Sequence, residues 1–157
     1  MKSVGEVMSI GRKFEEAFQK ALRMLDIGVN GLTASKNKIE FEDLEGALRQ
    51  PTEERIFAIV QALQTGYSVE WIHNLTHINK WFLYKIENIV NIEKKIAQTT
   101  AQDISKELLT EAKKHGYSDE QIAFILKSNA EEISNLRKIY SIRPSVQQID
   151  TLAAEYP

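Results

Sequence analysis

One joint in this chain is written twice. Gly-Tyr-Ser-Val-Glu-Trp-Ile begins at Gly66, and Gly-Tyr-Ser-Asp-Glu-Gln-Ile begins at Gly116. An offset of fifty, without a gap, pairs Ala62 with Ala112, Tyr67 with Tyr117, Ser68 with Ser118 and Ile72 with Ile122. Farther on, Leu75 meets Ile125, Leu83 meets Ile133, Ile86 meets Leu136 and Ile89 meets Ile139. The matched apolar positions recur at three- and four-residue steps, so the repeated unit is helical. Its joint has a mechanism. Gly takes the left-handed conformation that closes a helix, where a side chain costs about 1 kcal/mol. The Tyr that follows can pack back on the helix just ended. Ser68 and Ser118 are placed to cap the next helix, and Ser118 with Gln121 spells a capping box. Asn79 in the first unit, and Asn129 or Ser128 in the second, are placed to cap a third helix.

Around this pair the chain also reads as helix. After Gly11, the residues Phe14, Ala17, Phe18, Ala21, Leu22 and Leu25 line one helical face. Glu15 and Glu16 at its start and Lys20 and Arg23 near its end suit the helix dipole. Gly28 and Gly31 close it. Residues 31–50 read as a connection and a short helix, with Phe41, Leu44 and Leu48 inward. Thr52, after Pro51, reads as the cap of a helix carrying Ile56, Ile59, Val60 and Leu63. Val-Gly-Glu-Val-Met-Ser-Ile, residues 4–10, leans toward a short strand with no second strand to pair with. Pro144 ends the second unit. The expectation is an all-α domain of about seven helices, built on a duplicated helix–turn–helix–helix unit. Its packing should rest on Phe14, Phe18, Ile59, Leu63, Trp81, Ile86, Ile122 and Leu136.

Composition narrows the chemistry. The chain has 157 residues, enough for one sizeable core. Its net charge of -2 gives no bulk attraction to nucleic acid or an anionic membrane. Without cysteine it can form no disulfide, thiol nucleophile or thiolate metal site. No apolar run approaches the roughly 20 residues that span a bilayer. The opening residues carry acids early and no continuous apolar block, unlike a secretory signal, so the expected compartment is the cytoplasm.

Three patterns invite a functional reading. Residues 116–140 resemble a DNA-binding helix-turn-helix, with Asn-Leu-Arg-Lys in the last helix. Glu131 and Glu132 stand where that helix would meet the polyanion, and Trp81 and Phe82 hold those positions in the first unit, so the structural reading is preferred. His73 and His77 have a spacing that can bind zinc, but no third ligand stands near, and a surface pair is expected. Trp71, Trp81, Phe82 and Tyr84 are large anchors for a core or an interface. Most are expected in the core, because Leu83, Ile86, Ile89 and Val90 continue that helical face. There is no phosphate-binding glycine loop and no recognisable catalytic set.

The opening Met-Lys-Ser-Val-Gly-Glu-Val-Met-Ser-Ile-Gly-Arg resembles the end of the first ATP-grasp half of the carbamoyl phosphate synthetase large subunit. Arg-Ile-Phe-Ala-Ile-Val-Gln-Ala-Leu, both Gly-Tyr-Ser segments and Ile-Asp-Thr-Leu-Ala-Ala-Glu-Tyr-Pro resemble the helical domain that follows it. The resemblance implies that residues 1–30 end the carboxyphosphate domain and that residues 31–157 form a helical oligomerization domain. It implies a parent enzyme that uses two ATP, Mg²⁺ or Mn²⁺, K⁺, bicarbonate and ammonia released from glutamine by a partner subunit or fused domain. That parent makes carboxyphosphate, carbamate and then carbamoyl phosphate for arginine and pyrimidine synthesis. The ligands for nucleotide and metal lie in the ATP-grasp halves, so this segment itself is expected to lack catalysis and cofactors. The implied partners are the other large-subunit domains, the glutaminase and further copies, with no nucleic acid or membrane. The segment matching Lys-Ser-Val-Gly-Glu-Val-Met lies in that family by an internal passage between active sites, which makes Glu6 a candidate wall residue. The family usually has Asp where this chain has Asn79. Asn caps comparably but forgoes a dipole term of about 0.3–1 kcal/mol.

Overall fold

The structure, a computed structural model, describes residues 6–35 and 39–146. Among these residues there are eight helices and no strand: α1 (Phe14–Met24), α2 (Leu44–Arg49), α3 (Arg55–Thr65), α4 (Val69–Thr76), α5 (Lys80–Ala97), α6 (Lys106–Lys114), α7 (Asp119–Leu126) and α8 (Ala130–Ile139). The repeated units are α3–α4–α5 and α6–α7–α8. α5 is the axle, packed against α1, α3, α4, α6 and α7.

Both glycines of the joint are left-handed, at φ 98° for Gly66 and 84° for Gly116. In each, the tyrosine N–H reaches back to an alanine carbonyl, Tyr67 to Ala62 at 3.0 Å and Tyr117 to Ala112 at 3.1 Å. This six-to-one bond is the Schellman closure that a left-handed residue permits. The next helices start as their side chains dictate. Ser68 Oγ accepts from Trp71 N at 3.1 Å, and Ser118 Oγ from Gln121 N at 3.1 Å, with Gln121 Oε1 accepting from Ser118 N at 3.0 Å. Asn79 Oδ1 accepts from Trp81 N at 2.8 Å, and Asn129 Oδ1, rather than Ser128, accepts from Glu132 N at 2.9 Å.

Several expectations are corrected. Thr52 does not cap α3, which begins at Arg55 without a side-chain cap; only the Thr52 carbonyl takes part, accepting from Arg55 N at 3.2 Å. Residues 6–10 are irregular, not strand, because a lone strand has no neighbour to satisfy its backbone. That segment is held instead by Ser9 Oγ donating to Ala17 O at 2.6 Å and by Lys20 Nζ donating to Ile10 O at 3.0 Å. The remainder of the suggested strand, residues 4 and 5, lies outside the described residues. α1 also turns a different face inward. Glu15, Gln19 and Leu22 are buried, whereas Phe14, Ala17, Phe18 and Ala21 are half-buried and Leu25 is exposed.

Ile59, Leu63, Ile86 and Ile122 lie in the core as expected, with Ile72, Leu83, Ile89 and Ile133 beside them. Leu136 packs against it half-buried. Trp81 does not join it: 51% of its surface is exposed. In α5 the inward positions are Leu83, Ile86, Ile89 and Val90, and the helical period leaves Trp81, Phe82 and Tyr84 on outward faces.

Candidate functional site

The rings excluded from the core gather between α1 and α5. Phe14 stacks on Phe18, centroids 5.3 Å apart, and receives the edges of Trp81 at 5.4 Å and Phe82 at 5.6 Å. Trp81 and Phe82 meet edge-on at 4.9 Å, and Lys85 Nζ sits 5.3 Å from the Trp81 ring centroid. With Phe82 45% exposed, this is an apolar, aromatic surface, a residue mix that protein interfaces favour. Tyr84 is likewise half-exposed, its hydroxyl donating to Glu70 Oε1 at 3.2 Å. Trp71 is half-buried at the first joint, with Tyr67 stacked on it at 4.1 Å.

Beside the rings lies a buried polar knot that the apolar period of α1 did not announce. Gln19 and Gln121 are fully buried. Gln121 Nε2 donates to Gln19 Oε1 at 2.9 Å and to Thr33 O at 3.0 Å, while Gln19 Nε2 donates to His115 O at 2.8 Å. Arg23 Nη1 donates to Gly116 O at 2.8 Å. Buried polar groups are costly unless paired, and here each amide is paired. Tyr117 adds to the knot from the second joint. Its hydroxyl donates to Ile89 O at 2.7 Å and lies 3.1 Å from Thr33 Oγ1, and burial pushes its pKa far above the ordinary phenol value. Sequence gave one hint of this arrangement. Glu15, Gln19 and Arg23 stand four apart, a second stripe on α1 that is polar throughout.

Glu15 carries the charge of that stripe inward. Burial works to raise its pKa, but the Asn88 amide at 2.8 Å, the backbone and Lys85 outweigh it and hold the carboxyl below its ordinary value. Asp119, at the start of α7, behaves alike. Burial opposes its charge, while Arg137, with Nε at 3.0 Å, and Lys113 at 2.9 Å hold the pKa down. Arg137 is therefore engaged inside the second unit, and Glu131 stands exposed at the start of α8.

The histidine pair does not converge. His73 Nδ1 bonds to Ile78 O at 2.7 Å, and His77 is the left-handed residue that closes α4, at φ 56°. Glu6 is exposed on the irregular opening segment. Gly66, Ser68, Asn79, Gly116 and Ser118 serve as turns and caps, at the geometry given above.

The family model of the carbamoyl-phosphate synthetase large chain, oligomerisation domain, matches residues 6–141. The chain belongs to that family. All of it aligns with the mitochondrial arginine-specific carbamoyl phosphate synthase large chain of Neurospora crassa, at 48% identity over 13% of that protein. It likewise aligns with the mitochondrial carbamoyl-phosphate synthase [ammonia] of Homo sapiens, at 45% identity over 11% of it. A third relative, the multifunctional protein CAD of Squalus acanthias, is 45% identical over 7% of its length. The DNA-binding alternative finds no support among them. The expected cytoplasmic location is overturned, since the Neurospora and human relatives are mitochondrial. That expectation rested on the opening residues, and a segment matching 13% of a relative says nothing about that relative's own start.

Proposed function

We propose that this oligomerisation domain braces the large chain of a glutamine-using carbamoyl phosphate synthetase and makes no bond itself. The observation that carries this reading is the buried knot of Gln19, Gln121 and Thr33. It crosses the boundary between residues 1–30 and 31–157, tying the segment that resembles the end of an ATP-grasp half to the second helical unit. A displacement of that half is passed to the helices as one body. The reaction belongs to the flanking halves, which join bicarbonate, ammonia from glutamine and two ATP for arginine or pyrimidine synthesis. Nucleotide, Mg²⁺ or Mn²⁺ and K⁺ would be held there. Among the described residues, no three His, Cys, Asp or Glu side chains gather where they could hold an ion.

The partners on this reading are the other large-chain domains, the glutaminase as subunit or fused domain, and further copies of the chain. The half-exposed rings of Phe14, Phe18, Trp81 and Phe82 suit burial against a flanking domain. Trp71 is an anchor at the first joint, and Glu6 is a wall residue of the internal passage.

The decisive experiment places Gln19→Leu and Gln121→Leu together in the intact synthetase. Carbamoyl phosphate formed per ATP consumed should fall while each ATP-dependent partial reaction persists. Unchanged coupling in the folded double variant would remove the bracing role. ATP hydrolysis by the purified 157-residue chain would remove the non-catalytic one. For Glu6, a Glu6→Ala synthetase with unimpaired coupling would dismiss the passage assignment.

A further inference from the structure

Between α3 and the connection that follows α1 lies a hollow of about 320 Å³, at the lower end of the range for small-molecule pockets. Leu32 and Ile39 of the connection, Phe57 and Val60 of α3 and Phe124 of α7 make its walls largely apolar. The connection is pinned on either side of this space. Gln121 Nε2 donates to Thr33 O at 3.0 Å, and Gln61 takes both backbone atoms of Phe41, accepting from N at 2.9 Å and donating to O at 3.0 Å. Between the pins, Ala34 lines the hollow in the left-handed region, at φ 55°, the kind of backbone strain that clusters at ligand sites. The apolar face of α3 is not inherited from the repeat. An offset of fifty puts Glu107, Thr110 and Lys114 of α6 where α3 has Phe57, Val60 and Gln64, and Glu107 and Lys114 are exposed.

Three polar groups in the lining set the chemistry of an occupant. Ser35 Oγ is buried without a hydrogen-bond partner, a state that a bound polar group relieves. Gln64 Nε2 donates to Glu93 Oε2 at 2.7 Å, so the amide has its acceptor oxygen left to offer, and the carboxylate beside it accepts only. Acceptors on this side call for a head rich in donors. We propose that the hollow binds a small primary amine with an apolar body, its ammonium set among Ser35, Gln64 and Glu93 and its body against Phe57, Val60 and Phe124. An ammonium brings three donors and the charge opposite to Glu93. A carboxylate head meets Glu93 with like charge, and a wholly apolar molecule leaves Ser35 unpaired.

Amide-resolved NMR of the purified chain, titrated with phenethylamine, tests this. Saturable shifts should collect at Ser35, Phe57, Gln64 and Phe124. Phenethyl alcohol, with the same ring and tether, should bind more weakly, and phenylpropionate, with a carboxylate head, most weakly of the three. Glu93→Gln keeps the shape and should weaken the amine by about tenfold while leaving the alcohol unchanged. Ser35→Ala removes the unpaired hydroxyl, so the free chain should melt no lower, yet its affinity for the amine should fall. Shifts that never saturate or that scatter over the surface overturn the inference. So does phenylpropionate binding as well as the amine, or an amine affinity indifferent to either substitution. None of these results touches the bracing role, which is read from coupling in the intact synthetase.

Discussion

Replacing each joint glycine by alanine turns the internal repeat into a controlled experiment. Gly66→Ala and Gly116→Ala both force a side chain into a left-handed backbone, at φ 98° and 84°, for about 1 kcal/mol each. Both also stiffen the unfolded chain, a gain of about 0.4–1 kcal/mol that is the same for either substitution and cancels between them. What does not cancel is the space. The new methyl at 66 enters solvent, while the one at 116 lies 2.9 Å from Glu16 Cα and 3.0 Å from Glu16 O. Those are backbone atoms of a helix and cannot swing aside, so α1 must lift and loosen the bonds of Gln19 and Arg23. Overpacking of this kind costs about 1–3 kcal/mol. Gly66→Ala should therefore be nearly neutral to mildly destabilising, and Gly116→Ala worse than it by about 1–3 kcal/mol. Urea unfolding followed by far-ultraviolet circular dichroism reads the difference as a shift in midpoint at constant slope. Equal losses at the two sites would refute the close crossing of α1 over the second joint.

Gln121→Leu keeps the volume but strips Thr33 O of that donor and leaves Gln19 Oε1 only the 3.4 Å bond from Leu32 N, and at about 1–3 kcal/mol for a buried group left unpaired it should be among the most damaging single changes, measured by the same urea titration. Trp81→Ala removes a ring already 51% exposed and should cost about 1–2 kcal/mol in a thermal melt, below the roughly 3–5 kcal/mol of a fully buried aromatic. Asp119 has a lowered folded-state pKa, so its contribution is complete above the ordinary carboxylate range and fades as pH falls through the lowered value. Melts between about pH 7 and pH 3 should show that acid loss, and Asp119→Asn should flatten it while lowering stability at neutral pH.

The sequence made most of the helices legible because their signals are local. Each joint carries glycine, tyrosine and serine within three residues, and Asn79, Ser118 and Gln121 meet their capping partners within three more. The inward face of α1 was not legible in that way. Its apolar stripe predicts Phe14 and Phe18 inside, yet Glu15 and Gln19 go there because their partners, Asn88, His115 and Gln121, lie 73 to 102 residues away. No periodicity over one helix reports a bond of that reach. The aromatic surface misled for a related reason, since rings left on the outward faces of α5 carry the same residue types as rings in the core. Thr52 failed as a cap because two further residues intervene before α3 winds up at Arg55.

That distance along the chain also sets an order of events at the ribosome. α1 is made before the other seven described helices, but the groups that hold its inward face arrive only with α5, the second glycine joint and α7. At about 5–20 residues per second, roughly a hundred residues of further synthesis leave the opening helix waiting some 5–20 s. For the first part of that wait, until α5 is made, Phe14 and Phe18 have no Trp81 or Phe82 to meet and are open to chaperones. The helix that begins the segment is thus among the last to lock.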